Sequence, residues 1–143
     1  ALDLYCGIGT ITLTLAAQAR KVIGVEIVPE AVSDAVENAK KNGISNAEFI
    51  CMDAGKAAQE LAERGFLPDL VVCDPPRRGL DDAAIEALLT LAPKHLLYVA
   101  CDPASLARDA RRLDARYTLR HVECFDMFPR TANVETMALL ERV

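Results

Sequence analysis

The sequence lacks the paired cysteines that metal centres and disulfide frameworks need. Its five cysteines are far apart, and no Cys-x-x-Cys pair occurs. This spacing predicts no metal site, iron–sulfur cluster or disulfide scaffold, and it favours a reduced, cytoplasmic chain. The cysteines are Cys6, Cys51, Cys73, Cys101 and Cys124.

Long apolar runs and clusters of basic residues are also missing. No apolar stretch approaches the roughly 20 residues that span a bilayer, and no secretory signal is present, so we predict no membrane partner. The net charge is −5, and no lysine or arginine cluster exceeds a pair, which argues against general polyanion binding by this chain alone. Because a predicted strand follows Ala1 directly, without a lead-in, we expect a fragment whose partner-binding parts lie upstream.

Short apolar strands alternate with helices throughout the chain, which is long enough for one domain over residues 1–143. The predicted strands are 2–5, 21–27, 47–52, 69–73, 95–100, 119–125 and 134–140, and the predicted helices are 10–18, 29–41, 55–64, 82–91 and 103–113. This alternation predicts an α/β, Rossmann-like fold with a mostly parallel sheet covered on both faces. Only the loop 126–133 separates the last two strands, so we expect them to pair antiparallel.

A glycine-containing turn follows the first strand. Gly7 and Gly9 let the backbone approach a ligand closely, and the helix behind them attracts negative charge at its N-terminus, where Thr10 is a candidate cap. A dinucleotide-binding loop would carry a third glycine where Thr12 stands. The sequence of this turn therefore argues against a pyrophosphate cofactor, and on its own it favours a plain tight turn over a ligand site.

Acidic residues mark four successive strand ends: Asp3, Glu26, Asp53 and Asp74. Any one of them could be a solvated charge, but together they line the sheet edge where doubly wound folds bind ligands. The Glu26 carboxylate could accept hydrogen bonds from both hydroxyls of a ribose. The Asp53 carboxylate could accept one from the amino group of an adenine. S-adenosylmethionine satisfies these requirements without a pyrophosphate, so the pattern is similar to a class I methyltransferase.

A second candidate group centres on Cys101, which follows the strand 95–100 and precedes Pro103, a suitable first residue of a helix. The positive end of that helix favours a thiolate, although a cysteine here could also be buried and inert. Glu135 begins the antiparallel seventh strand, so it should reach the same edge as Asp74 and Cys101 unless it is only an exposed strand-start charge. One thiolate and one carboxylate suit methylation of uracil carbon 5, in which the thiolate adds to carbon 6 and a base removes the carbon 5 proton.

These motifs resemble the catalytic domain of the RNA uracil-5 methyltransferases, which form 5-methyluridine in ribosomal and transfer RNA. The matching stretches are 3–10, 74–79, 98–103, 106–109 and 128–135. The resemblance implies S-adenosylmethionine as cofactor and an RNA substrate recognised through upstream parts; we expect a monomer. It also implies Cys101 as nucleophile, Glu135 as base, and a cofactor site formed by Tyr5, Gly7, Gly9, Thr10, Glu26, Asp53 and Asp74.

The chain departs from the family pattern beside both candidate catalytic residues. Ala100 and Asp102 stand where serine and asparagine are usual, and Asn133 stands where histidine is usual. Asp102 adds a negative charge that opposes ionisation of the neighbouring thiol unless it is paired or caps the helix. Two alternatives stay open: a methyltransferase for another atom or molecule with a structural Cys101, and a nucleoside-binding or RNA-associated module without turnover. We also expect these 143 residues alone to be inactive or nearly so.

Overall fold

The computed structural model describes residues 1–127, 129–131 and 133–143. Strands and helices alternate as far as the fifth helix, and two strands follow. The strands are β1 (Leu2–Leu4), β2 (Val22–Glu26), β3 (Ala47–Cys51), β4 (Leu70–Cys73), β5 (His95–Ala100), β6 (Tyr117–Phe125) and β7 (Glu135–Arg142). The helices are α1 (Thr10–Ala16), α2 (Pro29–Lys41), α3 (Ala54–Glu63), α4 (Asp82–Leu91) and α5 (Pro103–Leu113).

The strands form one seven-stranded sheet in the order β3-β2-β1-β4-β5-β7-β6. The pairs from β3 to β5 are parallel, whereas β7 runs antiparallel to both β5 and β6. This confirms the predicted mostly parallel sheet with an antiparallel last strand. The chain moves outward in one direction from β1 and returns to place β4 on its other side, which creates a crevice at the carboxyl ends of β1 and β4.

Helices lie on both faces of the sheet, as the alternation along β1 shows. Leu2 and Leu4 are fully buried in the main core, together with residues of α3, α4 and α5. Asp3 lies between them and points to the opposite face, where its carboxylate meets Thr12 of α1. Asp3 was expected at a strand end; it is instead inside β1 and fully buried. It therefore belongs beneath the ligand edge rather than on it.

Several helices begin where a side chain accepts a hydrogen bond from a backbone amide of the first helical turn. Asp81 accepts a 2.8 Å hydrogen bond from the Ala84 amide and starts α4, as predicted. Asp102 accepts one of 3.1 Å from the Ala104 amide, so its charge caps α5. The prediction that Thr10 caps α1 is wrong. Gly9 occupies that position in the left-handed region, at φ 89°, and Thr10 is the first helical residue.

Other boundaries shift by one or two residues. α1 stops at Ala16, two residues earlier than predicted, and β6 begins at Tyr117, two residues earlier than predicted. Within the described residues, no helix combines the length and apolarity needed to cross a membrane. The same part of the chain holds no group of three or more side chains arranged to bind a metal ion.

Candidate active site

Glu26, the last residue of β2, is held by three backbone amides. Its Oε2 accepts a 3.0 Å hydrogen bond from the Gly7 amide, and its Oε1 accepts bonds from the amides of Ile27 (2.8 Å) and Val28 (3.0 Å). The carboxylate therefore has one orientation and joins the glycine turn after β1 to the turn after β2. Because Oε2 accepts only one of these bonds, it keeps a lone pair for a ligand hydroxyl.

A cavity of about 460 Å³ opens at this edge of the sheet. Four of the predicted cofactor residues line it together: Tyr5, Glu26, Asp53 and Asp74. The other three, Gly7, Gly9 and Thr10, lie in the turn after β1 and at the start of α1, outside the cavity lining. Only Gly7 among these three contacts a lining residue through a side-chain hydrogen bond, the bond to Glu26.

The turn after β1 depends on backbone conformations that favour glycine. Gly7 has φ 53° and Gly9 has φ 89°. A Cβ on Gly9 would lie 3.1 Å from the Ala35 Cβ and 3.2 Å from the Phe49 ring, whereas one on Gly7 would meet nothing within 4 Å. Gly9 is thus required by packing against α2 and β3, while Gly7 leaves open space in front of the backbone, where a ligand can approach.

Beneath this turn lies the buried pair of Asp3 and Thr12. The Thr12 hydroxyl donates a 2.6 Å hydrogen bond to Asp3 Oδ2, and Asp3 Oδ1 is buried without a partner. Burial raises the pKa of Asp3 to about 6, the hydrogen bond from Thr12 opposes that rise, and the charge of Asp74 adds to it. An unpartnered buried carboxylate oxygen under the cavity edge is suited to a nearby cationic group.

Asp53 and Asp74 occupy the turns after β3 and β4. Asp53 Oδ1 accepts a 3.1 Å hydrogen bond from the Lys56 amide and caps α3, which fixes its carboxylate at the cavity wall. The pKa of Asp74 is raised, first by partial burial and second by the charge of Glu135. The charge of Glu135 acts on Asp74 although the two residues are 61 positions apart in the sequence, and a hydrogen bond between Arg77 and Asn133 joins the same two segments.

Cys101 and Glu135 come together because β7 is antiparallel to β5. The last pair of this ladder joins Ala100 to Thr136, so Cys101 and Glu135 are opposite one another one step beyond it. Opposite residues of antiparallel strands have Cα atoms about 4.5–5.5 Å apart while the ladder continues. Cys101 is partly exposed, and Glu135 is partly buried with its Oε2 unpartnered. The register thus puts Cys101 and Glu135 next to each other just beyond the ladder, and neither residue is among those that line the cavity.

A further hydrogen bond links the segment before Glu135 to the turn after β4. Arg77 Nη2 donates a 2.9 Å bond to Asn133 Oδ1. The residue that departs from the family pattern is thus a partner of the arginine that follows Asp74-Pro75-Pro76. Phe128 and Ala132 also belong to this last motif but lie outside the described residues.

Several lining residues were not found from the sequence. They include Ile27, Val28, Met52, Pro75 and Arg78. Ile27 is 61% exposed and Val28 46% exposed directly after β2. Two exposed aliphatic residues at a ligand edge were the signal that could have indicated an apolar wall. Nothing in the sequence separated Arg78 from the other surface arginines.

A family model described as tRNA (uracil-5-)-methyltransferase matches residues 1–143. The chain belongs to this family. It is 49% identical over 141 residues to an uncharacterized RNA methyltransferase of Halalkalibacterium halodurans, and 46% identical over 142 residues to one of Clostridium acetobutylicum. These alignments cover 98% and 99% of the chain but 31% of each relative. The chain thus spans about a third of the length of these curated relatives.

Solved structures agree with the family assignment. The crystal structure of a Pyrococcus abyssi tRNA (uracil-54, C5)-methyltransferase in complex with S-adenosyl-L-homocysteine has a TM-score of 0.84 and 35% identity, over 97% of this chain and 33% of that chain. A Streptococcus thermophilus rRNA methylase has a TM-score of 0.74 at 14% identity, over 99% of this chain and 86% of that one, and shows the fold alone. The expected methyltransferase architecture is confirmed.

Proposed function

We propose that this chain is the catalytic part of an enzyme that transfers a methyl group from S-adenosylmethionine to carbon 5 of a uridine in RNA. One observation supports this most strongly: the antiparallel register of β5 and β7, continued by one step, puts Glu135 beside Cys101, at the end of β5 that adjoins the turn with Asp74. The cavity that holds a nucleoside-compatible set of carboxylates opens at that edge. The sites of both substrates would therefore adjoin.

The residues of the cavity fit S-adenosylmethionine, which supplies an activated methyl group on a sulfonium when bound. Glu26 has a fixed carboxylate with a lone pair for a ribose hydroxyl. Asp53 would accept a hydrogen bond from the adenine amino group, and Ile27 and Val28 would pack against the adenine ring. Gly7 leaves the backbone open to close approach. Tyr5 lines the same cavity, whereas Gly9 and Thr10 would act only through the backbone of the turn that holds Gly7.

The chemistry then follows from the two groups that face each other. The Cys101 thiolate forms a bond to carbon 6 of the uracil and makes carbon 5 nucleophilic. Bound S-adenosylmethionine would supply the methyl group that carbon 5 takes, and the electron pair of the broken bond would stay on its sulfur. Glu135 removes the proton from carbon 5, and the electrons of that bond expel the Cys101 thiolate from carbon 6. The unpartnered Oε2 of Glu135 is available as the acceptor of this proton.

Among the cysteines near the ligand edge, Cys101 is the best placed for this role. Cys6 is buried, and burial raises the pKa of its thiol to about 12. Cys73 is fully buried, and burial also raises the pKa of its thiol. Cys101 is partly exposed at the beginning of α5, whose first amides carry partial positive charge. Cys101 is therefore the most accessible of these three thiols.

Trapping on fluorinated RNA tests this proposal. The whole protein, including any sequence that flanks these residues, is incubated with S-adenosylmethionine and RNA containing 5-fluorouridine, with transfer and ribosomal RNA as separate substrates. Fluorine cannot leave as a proton, so the wild type and a Cys51→Ala control should form a covalent RNA complex, whereas Cys101→Ala should not. Methylation by Cys101→Ala without a trapped complex would contradict the mechanism, and a product methylated elsewhere would contradict the proposed target atom. Cofactor binding without any methylation would favour a module that has lost turnover.

A further inference from the structure

Asp109 is a buried carboxylate that the proposed reaction does not use. It lies in α5 and is fully buried. Its Oδ2 accepts hydrogen bonds from the Leu80 amide (2.8 Å) and from the Tyr98 hydroxyl (2.7 Å), and its Oδ1 accepts one from Arg108 Nε (2.9 Å). Asp109 also forms ion pairs with Arg108 and Arg112. These two arginines and the two neutral donors offset the cost of burying its negative charge.

The partner of this network is the segment 74–80, here termed the proline loop, which joins β4 to α4. Three consecutive residues of the loop rest on α5. Arg108 donates a 2.6 Å hydrogen bond to the Arg78 carbonyl, Arg112 donates one of 3.3 Å to the Leu80 carbonyl, and Gly79 lies between them at φ 78°. A Cβ on Gly79 would overlap the Asp109 carboxylate. The loop therefore contacts α5 so closely that no side chain fits at residue 79.

The other end of the proline loop forms part of the candidate active site. Asp74, Pro75 and Pro76 line the cavity, and Arg77 donates a hydrogen bond to Asn133. The loop therefore contacts both the cavity and the segment that leads into β7. Its position depends on how firmly residues 78–80 are held, since a short loop fixed at one end restricts the other.

Asp109 also connects to both sides of Cys101. Tyr98 lies in β5, three residues before Cys101, and Asp109 lies in the helix that begins at Pro103. One carboxylate thus joins the strand before the thiol, the helix after it and the loop that carries Asp74. We propose that Asp109 is a positioning residue that holds the proline loop at its working distance from Cys101. This inference rests on the proposed function, because it concerns the spacing of Asp74, Cys101 and Glu135.

Two buried tyrosines provide a matched pair of variants for the test. Tyr98→Phe removes one donor to Asp109 and leaves the carboxylate in place. Tyr117→Phe removes a hydrogen bond of 3.1 Å to the Pro93 carbonyl, away from the proline loop. Both tyrosines are buried and each donates one hydrogen bond, so Tyr117→Phe controls for the loss of a buried hydroxyl away from Asp109. Asp109→Asn is the stronger change because its amide group would face donors.

Amide hydrogen exchange and steady-state kinetics of the whole protein measure the effect. We expect Asp109→Asn and Tyr98→Phe to accelerate exchange at residues 77–80 by roughly tenfold or more, since the amide of Leu80 loses or weakens its acceptor, and Tyr117→Phe to leave it unchanged. Misplacement of the loop should lower kcat roughly tenfold or more in Asp109→Asn, with the KM for RNA within about twofold of wild type.

The exchange result is independent of turnover, so it separates this inference from the proposed function. Failure of the wild type to methylate RNA would refute the proposed function. The amide exchange of the proline loop in the variants would still show whether Asp109 holds the loop in place. Exchange and kcat that change no more in Tyr98→Phe than in Tyr117→Phe would overturn the positioning role. This comparison decides the matter even if Asp109→Asn does not fold.

Discussion

Replacing Asp3 by asparagine should change how the stability of this protein depends on pH. Asp3 is fully buried inside β1, with one oxygen accepting the Thr12 hydroxyl and the other unpartnered. Its ionised form is therefore poorly solvated in the folded chain and well solvated in the unfolded chain. An asparagine of nearly the same shape stays neutral at every pH and removes this difference.

The magnitude follows from the pKa of Asp3, which burial raises from 3.8 to about 6. Below pH 3.8 the group is protonated in both states and costs nothing through ionisation. Between pH 4 and 6 the unfolded chain releases the proton first, so the free energy of unfolding falls as the pH rises. The total fall is roughly 3 kcal/mol, because each pH unit between the two pKa values is worth about 1.4 kcal/mol.

Denaturant unfolding at a series of pH values from 4 to 8 measures this effect. The stability of the wild type relative to Asp3→Asn should fall by roughly 3 kcal/mol between pH 4 and 7 and stay level above that. Thr12→Val removes the hydrogen bond that lowers the pKa of Asp3, so its stability should continue to fall at higher pH than in wild type. Parallel curves for the wild type and Asp3→Asn would refute the reasoning.

Other substitutions test the turn, the cap and the inter-loop bond. Gly9→Ala should lower the free energy of unfolding by about 2–3 kcal/mol, because its left-handed backbone is strained and the new Cβ contacts α2 and β3. Gly7→Ala should lower it by about 1–2 kcal/mol, because only the backbone strain applies there. Thermal or chemical unfolding measures both losses. Asp102→Ala should cost about 1 kcal/mol and Asp102→Asn much less, since asparagine also caps helices; equal losses would contradict the capping role. A double-mutant cycle of Arg77→Ala and Asn133→Ala should give a coupling of about 0.5–1.5 kcal/mol, and additive losses would show that the bond contributes nothing.

The helices and strands could be predicted from the sequence because local signals mark where several of them begin. Pro29 and Pro103 open helices, and Asp81 caps a third. The short loop before β7 required an antiparallel return. The position of β7 between β5 and β6 was not predictable from these signals. Strand order depends on side-chain packing between segments distant in sequence, which periodicity does not record.

The site was predictable where a residue type and a strand end coincide. Glu26 and Asp74 satisfied both conditions and line the cavity. Asp3 satisfied the first condition but not the second, because β1 continues to Leu4 and buries it. The three amides around Glu26 and the four donor groups around Asp109 were beyond sequence reasoning. Each network joins residues from separate segments, and no local pattern announces a hydrogen bond between them.

The ladder between β5 and β7 has a consequence for how this family can change its substrates. The opposition of Cys101 and Glu135 is set by strand register, which extends over six pairs from His95 with Glu141 to Ala100 with Thr136. That register is formed by residues inside the two strands. Insertions in the connection that precedes β7 could create new RNA contacts while the two proposed reacting groups keep their spacing. The strands of this hairpin would then keep the proposed catalytic residues in place, while the connection between them could change the choice of RNA target.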